Sequence, residues 1–186
     1  MTLRCLLMSV AGFLSGSLMF SVWLPRLAGG DVHRVGDGNP GAANAFRAAG
    51  PVIGACALLL DFLKGWLPTA AAYWLLGIRG WWLAPVIVAP VLGHAFSPFL
   101  RLRGGKAITT TFGVWSGMTL WEAPCLLGGV LAICKLLFRL RDDWSIFVAL
   151  VSLLAYLLWR HPDPALIAAW AANAAVVALK HRQPRP

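Results

Sequence analysis

Two glycine-rich segments hold most of the residues that could do chemistry. The first, residues 31–47, sets Gly36, Gly38 and Gly41 in a G-x-G-x-x-G pattern, with Asp37, Asn39 and Asn44 interleaved and Arg34 and Arg47 alongside. Glycines let backbone N–H groups approach a ligand, and the start of a following helix is positive, so the segment suits a phosphate or a carboxylate. Asp61 stands twenty residues past Gly41, as a dinucleotide fingerprint asks, but the flanks lack the strand and βαβ unit that such a fold needs. A tight turn with ordinary basic neighbours is the alternative reading. The second segment, residues 93–111, carries His94, then Gly104, Gly105 and Lys106, then Thr109, Thr110 and Thr111. It is not a Walker A loop. No glycine precedes Gly105 by five, and Ala107 stands where a magnesium-binding hydroxyl belongs. Amides, an ammonium and hydroxyls are expected to converge at this helix start on an anion.

Other ionisable residues are few. Asp61 and Lys64 sit three apart inside an apolar run, where charge is costly; they can pair on one helix face. His94 falls near the end of a run, His161 in a turn, and His181 in a basic tail. No H-E-x-x-H, G-x-S-x-G or clustered Cys/His set occurs, and none of the four histidines has an acid five residues later. Neither a metal nor a cofactor is expected.

The elements that must position these groups are membrane helices. Of 186 residues, 59% are hydrophobic and only 12% charged, about half the usual charged share, and mean hydropathy is +0.73. That excludes a disordered chain. Four scattered cysteines (Cys5, Cys56, Cys125, Cys134) exclude a disulfide scaffold. Basic residues lying between long apolar runs argue against a nucleic-acid partner. Apolar runs cover 5–25, about 51–77, 81–99, 107–121, 124–138, 144–159 and 165–179. A span needs about 20 apolar residues. The expectation is an all-α, polytopic membrane protein of about seven helices in one domain, residues 1–186, with five spans as the fallback because the last four runs are short. Gly12 with Gly16, and Gly113 with Gly117, suit close helix approach.

Charge placement gives a direction. Sixteen Lys and Arg oppose seven acids, for a net +9. Twelve of the sixteen fall in alternate connections: Arg26, Arg34, Arg47, Arg101, Arg103, Lys106, Lys135, Arg139, Arg141, Lys180, Arg182 and Arg185. Only Arg4, Arg79 and Arg160 take the other side. By the positive-inside rule the N-terminus lies outside, the C-terminus is cytoplasmic, and both glycine segments face the cytoplasm.

In order along the chain, Gly36-x-Gly38-Asn39-x-Gly41-Ala42-x-Asn44-x-x-Arg47, Asp61-x-x-Lys64-Gly65, Gly93-His94-x-Phe96-x-x-Phe99, Gly104-Gly105-Lys106 and His181-Arg182 resemble the acyl-phosphate-dependent glycerol-3-phosphate acyltransferases of bacterial membranes, the PlsY family. The resemblance runs from Asp31 to the C-terminus. It implies seven helices in the inner (plasma) membrane, a site on the cytoplasmic face, and acyl transfer from acyl phosphate to the 1-hydroxyl of glycerol 3-phosphate. It also implies catalytic roles for Arg47, Lys106 and His181. Gly38, Asn39, Gly41, Asn44, Lys64, His94, Gly104, Gly105 and Thr110 are the implied substrate-binding residues. Two phosphate-bearing substrates call for Arg and Lys donors and glycine amides, and an already activated mixed anhydride needs positioning more than an enzyme nucleophile.

The chain departs from the family pattern in places. Asp37 replaces a usual serine, Ala43 a threonine, Ala107 a glycine, and Pro184 an asparagine. A carboxylate about 4 Å from a phosphate costs on the order of 1–4 kcal/mol. Two other readings therefore stand beside acyl transfer to glycerol 3-phosphate: a divergent paralogue with another acceptor, and a non-enzymatic protein that binds anionic lipid through its basic loops.

Overall fold

The computed structural model describes residues 2–182, Arg182 by its backbone alone. Pro184 lies outside the described residues. Those described are helical, with no strand among them. Helix α1 spans Thr2–Ser17, α2 Phe20–Leu27, α3 Ala42–Ala70, α4 Leu83–Ala95, α5 Ile108–Thr119, α6 Glu122–Ala132, α7 Asp142–Arg160 and α8 Pro164–Arg182. Helices α3 and α6 each run on through a π-turn, to Leu75 and Leu137.

Among the described residues, five segments are long and apolar enough to cross a bilayer: Thr2–Leu27, Ala42–Leu75, Gly80–Leu100, Asp142–Arg160 and Pro164–His181. Helices α5 and α6 fall short of that length, with 12 and 11 residues; at 1.5 Å per residue α5 reaches only about 18 Å. The seven apolar runs all form helices, and α7 and α8 prove longer than their runs because polar end residues join them. Leu3, Leu6, Leu7, Val10 and Leu14 line one outward face of α1, while Trp144, Phe147, Val151 and Leu158 do so on α7. An apolar rim of this kind suits lipid.

Glycines draw the helices together. A Cβ at Gly16 would strike the Pro90 backbone of α4, and one at Gly93 the Phe13 backbone of α1. Gly65, Gly113 and Gly117 do the same between α3 and α5. The pairs expected to permit close approach therefore sit at two interfaces, α1–α4 and α3–α5, where helices pack tightly. Helix α8 is tied in by a buried polar chain: Trp115 Nε1 donates to Asn173 Oδ1 at 2.8 Å, and Asn173 Nδ2 donates to Thr111 Oγ1 at 3.0 Å.

The first span is broken between Ser17 and Phe20, which strips carbonyls of helical partners where no water can replace them. Two side chains repair the gap. Ser97 Oγ donates to Ser17 O at 2.7 Å, and Lys64 Nζ donates to Leu18 O. Lys64 is neutralised by Asp61 Oδ1 at 2.7 Å, both side chains being 1% exposed. The pair expected from the i, i+3 spacing thus forms, and it closes a helix break.

The connections 28–41 and 101–107 meet at one end of the bundle, where Lys106 reaches Asp37. The C-terminal end of α8 joins them there, with Lys180 Nζ 5.0 Å from the Phe96 ring centre. The charges of Lys106 and Asp37 also act on Asp142 at the start of α7. At the other end Arg79 stacks on Tyr73, and Tyr156 donates to Glu122 beside His161. The alternation of strongly basic connections with ones poor in basic residues is therefore also an alternation between the two ends of the bundle.

Candidate functional site

The first glycine segment folds around Asp37. Gly36 and Gly38 take φ of 56° and 66°, in the left-handed region that side chains disfavour. The turn between them points the Asp37 carboxylate back at its own chain. Oδ1 accepts from the Asn39 N–H at 3.1 Å, an Asx turn, and from Asn44 Nδ2 at 2.9 Å. Asn44 Nδ2 also donates to Asn39 O at 3.1 Å. Asn44 Oδ1 accepts from Arg47 Nη1 at 2.7 Å. Asn44 is 1% exposed, and its two amide ends join the loop to the first turn of α3. Gly36 has no room for a side chain here, since a Cβ would lie 2.6 Å from Arg47 Nη1 and collide with Asn44 Oδ1.

The second segment lies across the end of α4. The Gly105 N–H donates to His94 O at 3.1 Å. A Cβ at Gly104 would strike that same carbonyl, and one at Gly105 would lie 2.6 Å from Pro40 O and run into His94 Nε2. Only glycines let this strand of chain slip between α4 and the first loop. Ala107 takes φ of 59° just before α5, a conformation an alanine holds at a cost of about 1–2 kcal/mol.

The close approach brings Lys106 to Asp37. Nζ and Oδ2 are 2.9 Å apart, the lysine side chain 18% exposed and the aspartate 49%. Partial burial pushes the Asp37 carboxyl up, but the Lys106 ammonium, the Asn39 N–H and the Asn44 amide outweigh it and hold the group at about 2. Asp37, Asn39, Asn44, Arg47, Lys106 and the glycines thus form one cluster, most of it from the first segment, with Gly104, Gly105 and Lys106 from the second. Asn39 Oδ1 is buried within it with no hydrogen-bond partner.

Of the other expected site residues, His94 lies against the cluster at Gly105. His94 is 3% exposed and packs under Gly105, its Nδ1 without a hydrogen-bond partner. Lys64 sits deeper, on Asp61 and Leu18 O. His181 ends α8, with Nδ1 2.8 Å from Val177 O. Thr110 stands apart from the cluster. Its hydroxyl donates to Asp61 O at 3.3 Å inside the α3–α5 interface, and Thr111 is engaged by Asn173. Both hydroxyls face the bundle, while Lys106 reaches Asp37.

Sequence reasoning did not find the Asp37–Lys106 pair. Two opposite charges, each beside glycines in separate loops, were its only trace, and nothing along one chain pairs positions 69 residues apart.

The family described as glycerol-3-phosphate acyltransferase matches residues 6–185. Glycerol-3-phosphate acyltransferase 1 of Thermotoga maritima is 40% identical over 183 residues, covering 91% of this chain and 90% of that protein. The glycerol-3-phosphate acyltransferase of Aquifex aeolicus is 32% identical over 179 residues, covering 87% and 93%. The crystal structure of PlsY (YgiH), an integral membrane glycerol 3-phosphate acyltransferase, in its glycerol 3-phosphate form superposes with a TM-score of 0.88 at 28% identity, covering 96% of this chain and 88% of that one.

Proposed function

The chain belongs to the glycerol-3-phosphate acyltransferase family, and from that premise we propose that it moves a fatty acyl group from acyl phosphate to the 1-hydroxyl of glycerol 3-phosphate, giving lysophosphatidate and phosphate. The observation that carries the site assignment is the donor set around Asp37: an ammonium, an amide and a backbone N–H converge on one planar anion. Donors that hold a carboxylate in this way also hold a phosphate oxygen.

In this reading the acceptor hydroxyl attacks the carbonyl carbon of the mixed anhydride. The new C–O ester bond forms, the C–O bond to phosphate breaks, and the hydroxyl proton leaves with the phosphate. Lys106 and Arg47 neutralise the phosphate charge, and the backbone at Gly38, Asn39, Gly41, Gly104 and Gly105 lines the phosphate site. Asn44 fixes the Arg47 guanidinium, which is one way that positioning accelerates a reaction between activated partners. His181 orients the acceptor. His94 supports the Gly105 turn, and Lys64 secures the broken first span behind it. The basic connections support a cytoplasmic-facing site in the plasma membrane, where an amphiphilic donor and a water-soluble acceptor can meet.

The test is a transfer assay. Membranes containing the protein are given labelled glycerol 3-phosphate with either acyl phosphate or an acyl thioester. Lysophosphatidate formed from acyl phosphate alone supports the proposal. Equal transfer from the thioester refutes the assigned donor.

A further inference from the structure

The donors assigned to a substrate phosphate are already holding an anion of the protein's own. Lys106 Nζ lies 2.9 Å from Asp37 Oδ2, while Asn44 Nδ2 and the Asn39 N–H reach Oδ1 at 2.9 and 3.1 Å. Asp37 is 49% exposed and Lys106 18%, so the carboxylate has open space to swing into and the lysine does not. A neutral residue at this position would leave Lys106 unopposed. We infer that Asp37 is an affinity- and specificity-determining residue: its carboxylate is the resident occupant of the phosphate site, and a phosphate reaches Lys106 only by displacing it. The inference rests on the proposed role of Lys106 in holding phosphate.

The consequence is a penalty on phosphate binding. The incoming anion must break an existing ion pair and then share the site with a displaced like charge. The Asx turn also uses Oδ1, so the loop loses part of its fold when the carboxylate leaves. A phosphate that supplies its own oxygens to Asn44 and the Asn39 N–H replaces what is lost; a smaller or weaker acceptor does not. The site therefore discriminates by how completely the ligand restores the three donors.

Asp37→Asn separates charge from shape, because the amide keeps an oxygen for Asn39 and Asn44 while removing the charge opposite Lys106. The probe is inorganic phosphate as a competitive inhibitor of the full-length protein in detergent or membranes. The inhibition constant is expected to fall about five- to tenfold in Asp37→Asn, with the KM for glycerol 3-phosphate falling in parallel. Asp37→Ser is expected to shift the same way, and it carries the test should the amide variant fail to fold. An inhibition constant that stays or rises in a folded Asp37 variant overturns the inference. Lys106→Ala distinguishes the two levels of argument. If it leaves phosphate inhibition unchanged, the phosphate-site reading fails. If it abolishes inhibition while no Asp37 variant tightens it, only the role of Asp37 fails.

Discussion

Arg47 Nη1 donates to Asn44 Oδ1 at 2.7 Å, one turn along α3, and the same Asn44 amide donates to Asp37. A guanidinium at the proposed phosphate site is thereby oriented by a buried asparagine that also holds the glycine loop. Charge alone does not reproduce this. Arg47→Lys keeps the charge but loses the planar fork, and is expected to lower kcat/KM by about ten- to a hundredfold, the loss of one charge-assisted hydrogen bond. The melting temperature should stay within a few degrees. A lysine variant at the wild-type rate would show that Asn44 does not position the reacting groups.

Two glycines with the same backbone strain separate local crowding from conformation. Gly29 and Gly36 take φ of 80° and 56°, but a Cβ at Gly29 meets nothing within 4 Å whereas one at Gly36 collides with Asn44 and Arg47. Gly29→Ala should cost only the left-handed strain, about 1–2 kcal/mol, with activity retained. Gly36→Ala should abolish most activity by displacing the Asn44–Arg47 pair. Steady-state rates together with thermal unfolding compare them directly.

The buried Asp61–Lys64 pair predicts an asymmetric pattern of stability. Lys64→Met leaves Asp61 unpaired and should destabilise the protein by about 3–5 kcal/mol. Adding Asp61→Leu removes the stranded charge and should recover part of the loss. Recovery stays incomplete because Lys64 also serves Leu18 O, a carbonyl whose partner is worth about 1–3 kcal/mol when buried. Denaturant unfolding in detergent measures all three proteins; full recovery in the double variant would refute the role at the helix break.

The low value for Asp37 fixes the sign of a pH effect. Its folded carboxyl, at about 2, lies below its ordinary 3.8. The stabilisation from its ion pair is therefore fully present above about pH 4 and is lost as pH falls through 2. The stability difference between wild type and Asp37→Asn should be flat from pH 8 to 5 and vanish towards pH 2. The pH dependence of activity near neutrality should not change in the variant. A stability difference that varies between pH 8 and 5 would contradict the ion pair.

Much of this site was readable along the chain because glycine and charge act locally. The pairs Gly12–Gly16 and Gly113–Gly117 announce close helix approach by their spacing, and it is there: Gly16, Gly113 and Gly117 meet backbone, and Gly12 packs on the Pro90 ring. Asp61 and Lys64 share a helix face, so their pairing follows from pitch alone. What escaped depends on long-range geometry. The break after Ser17 has no proline to mark it, and Gly16 beside it reads equally as a helix-packing residue; the break is sustained by Ser97 from the connection after α4 and by Lys64 from α3. Nor does an alanine announce the left-handed conformation of Ala107, or a threonine near a helix start its inward hydrogen bond to Asp61 O. His94 beneath Gly105 needs both helix ends placed before it has meaning.

The most direct test of the central claim is the initial rate of lysophosphatidate formation from acyl phosphate and glycerol 3-phosphate, measured for wild type and Lys106→Ala at matched amounts of folded protein. Lys106 is expected to supply the principal positive charge to the phosphate, so its loss should lower kcat/KM by at least about a hundredfold. A Lys106→Ala protein that turns over at the wild-type rate would contradict the account.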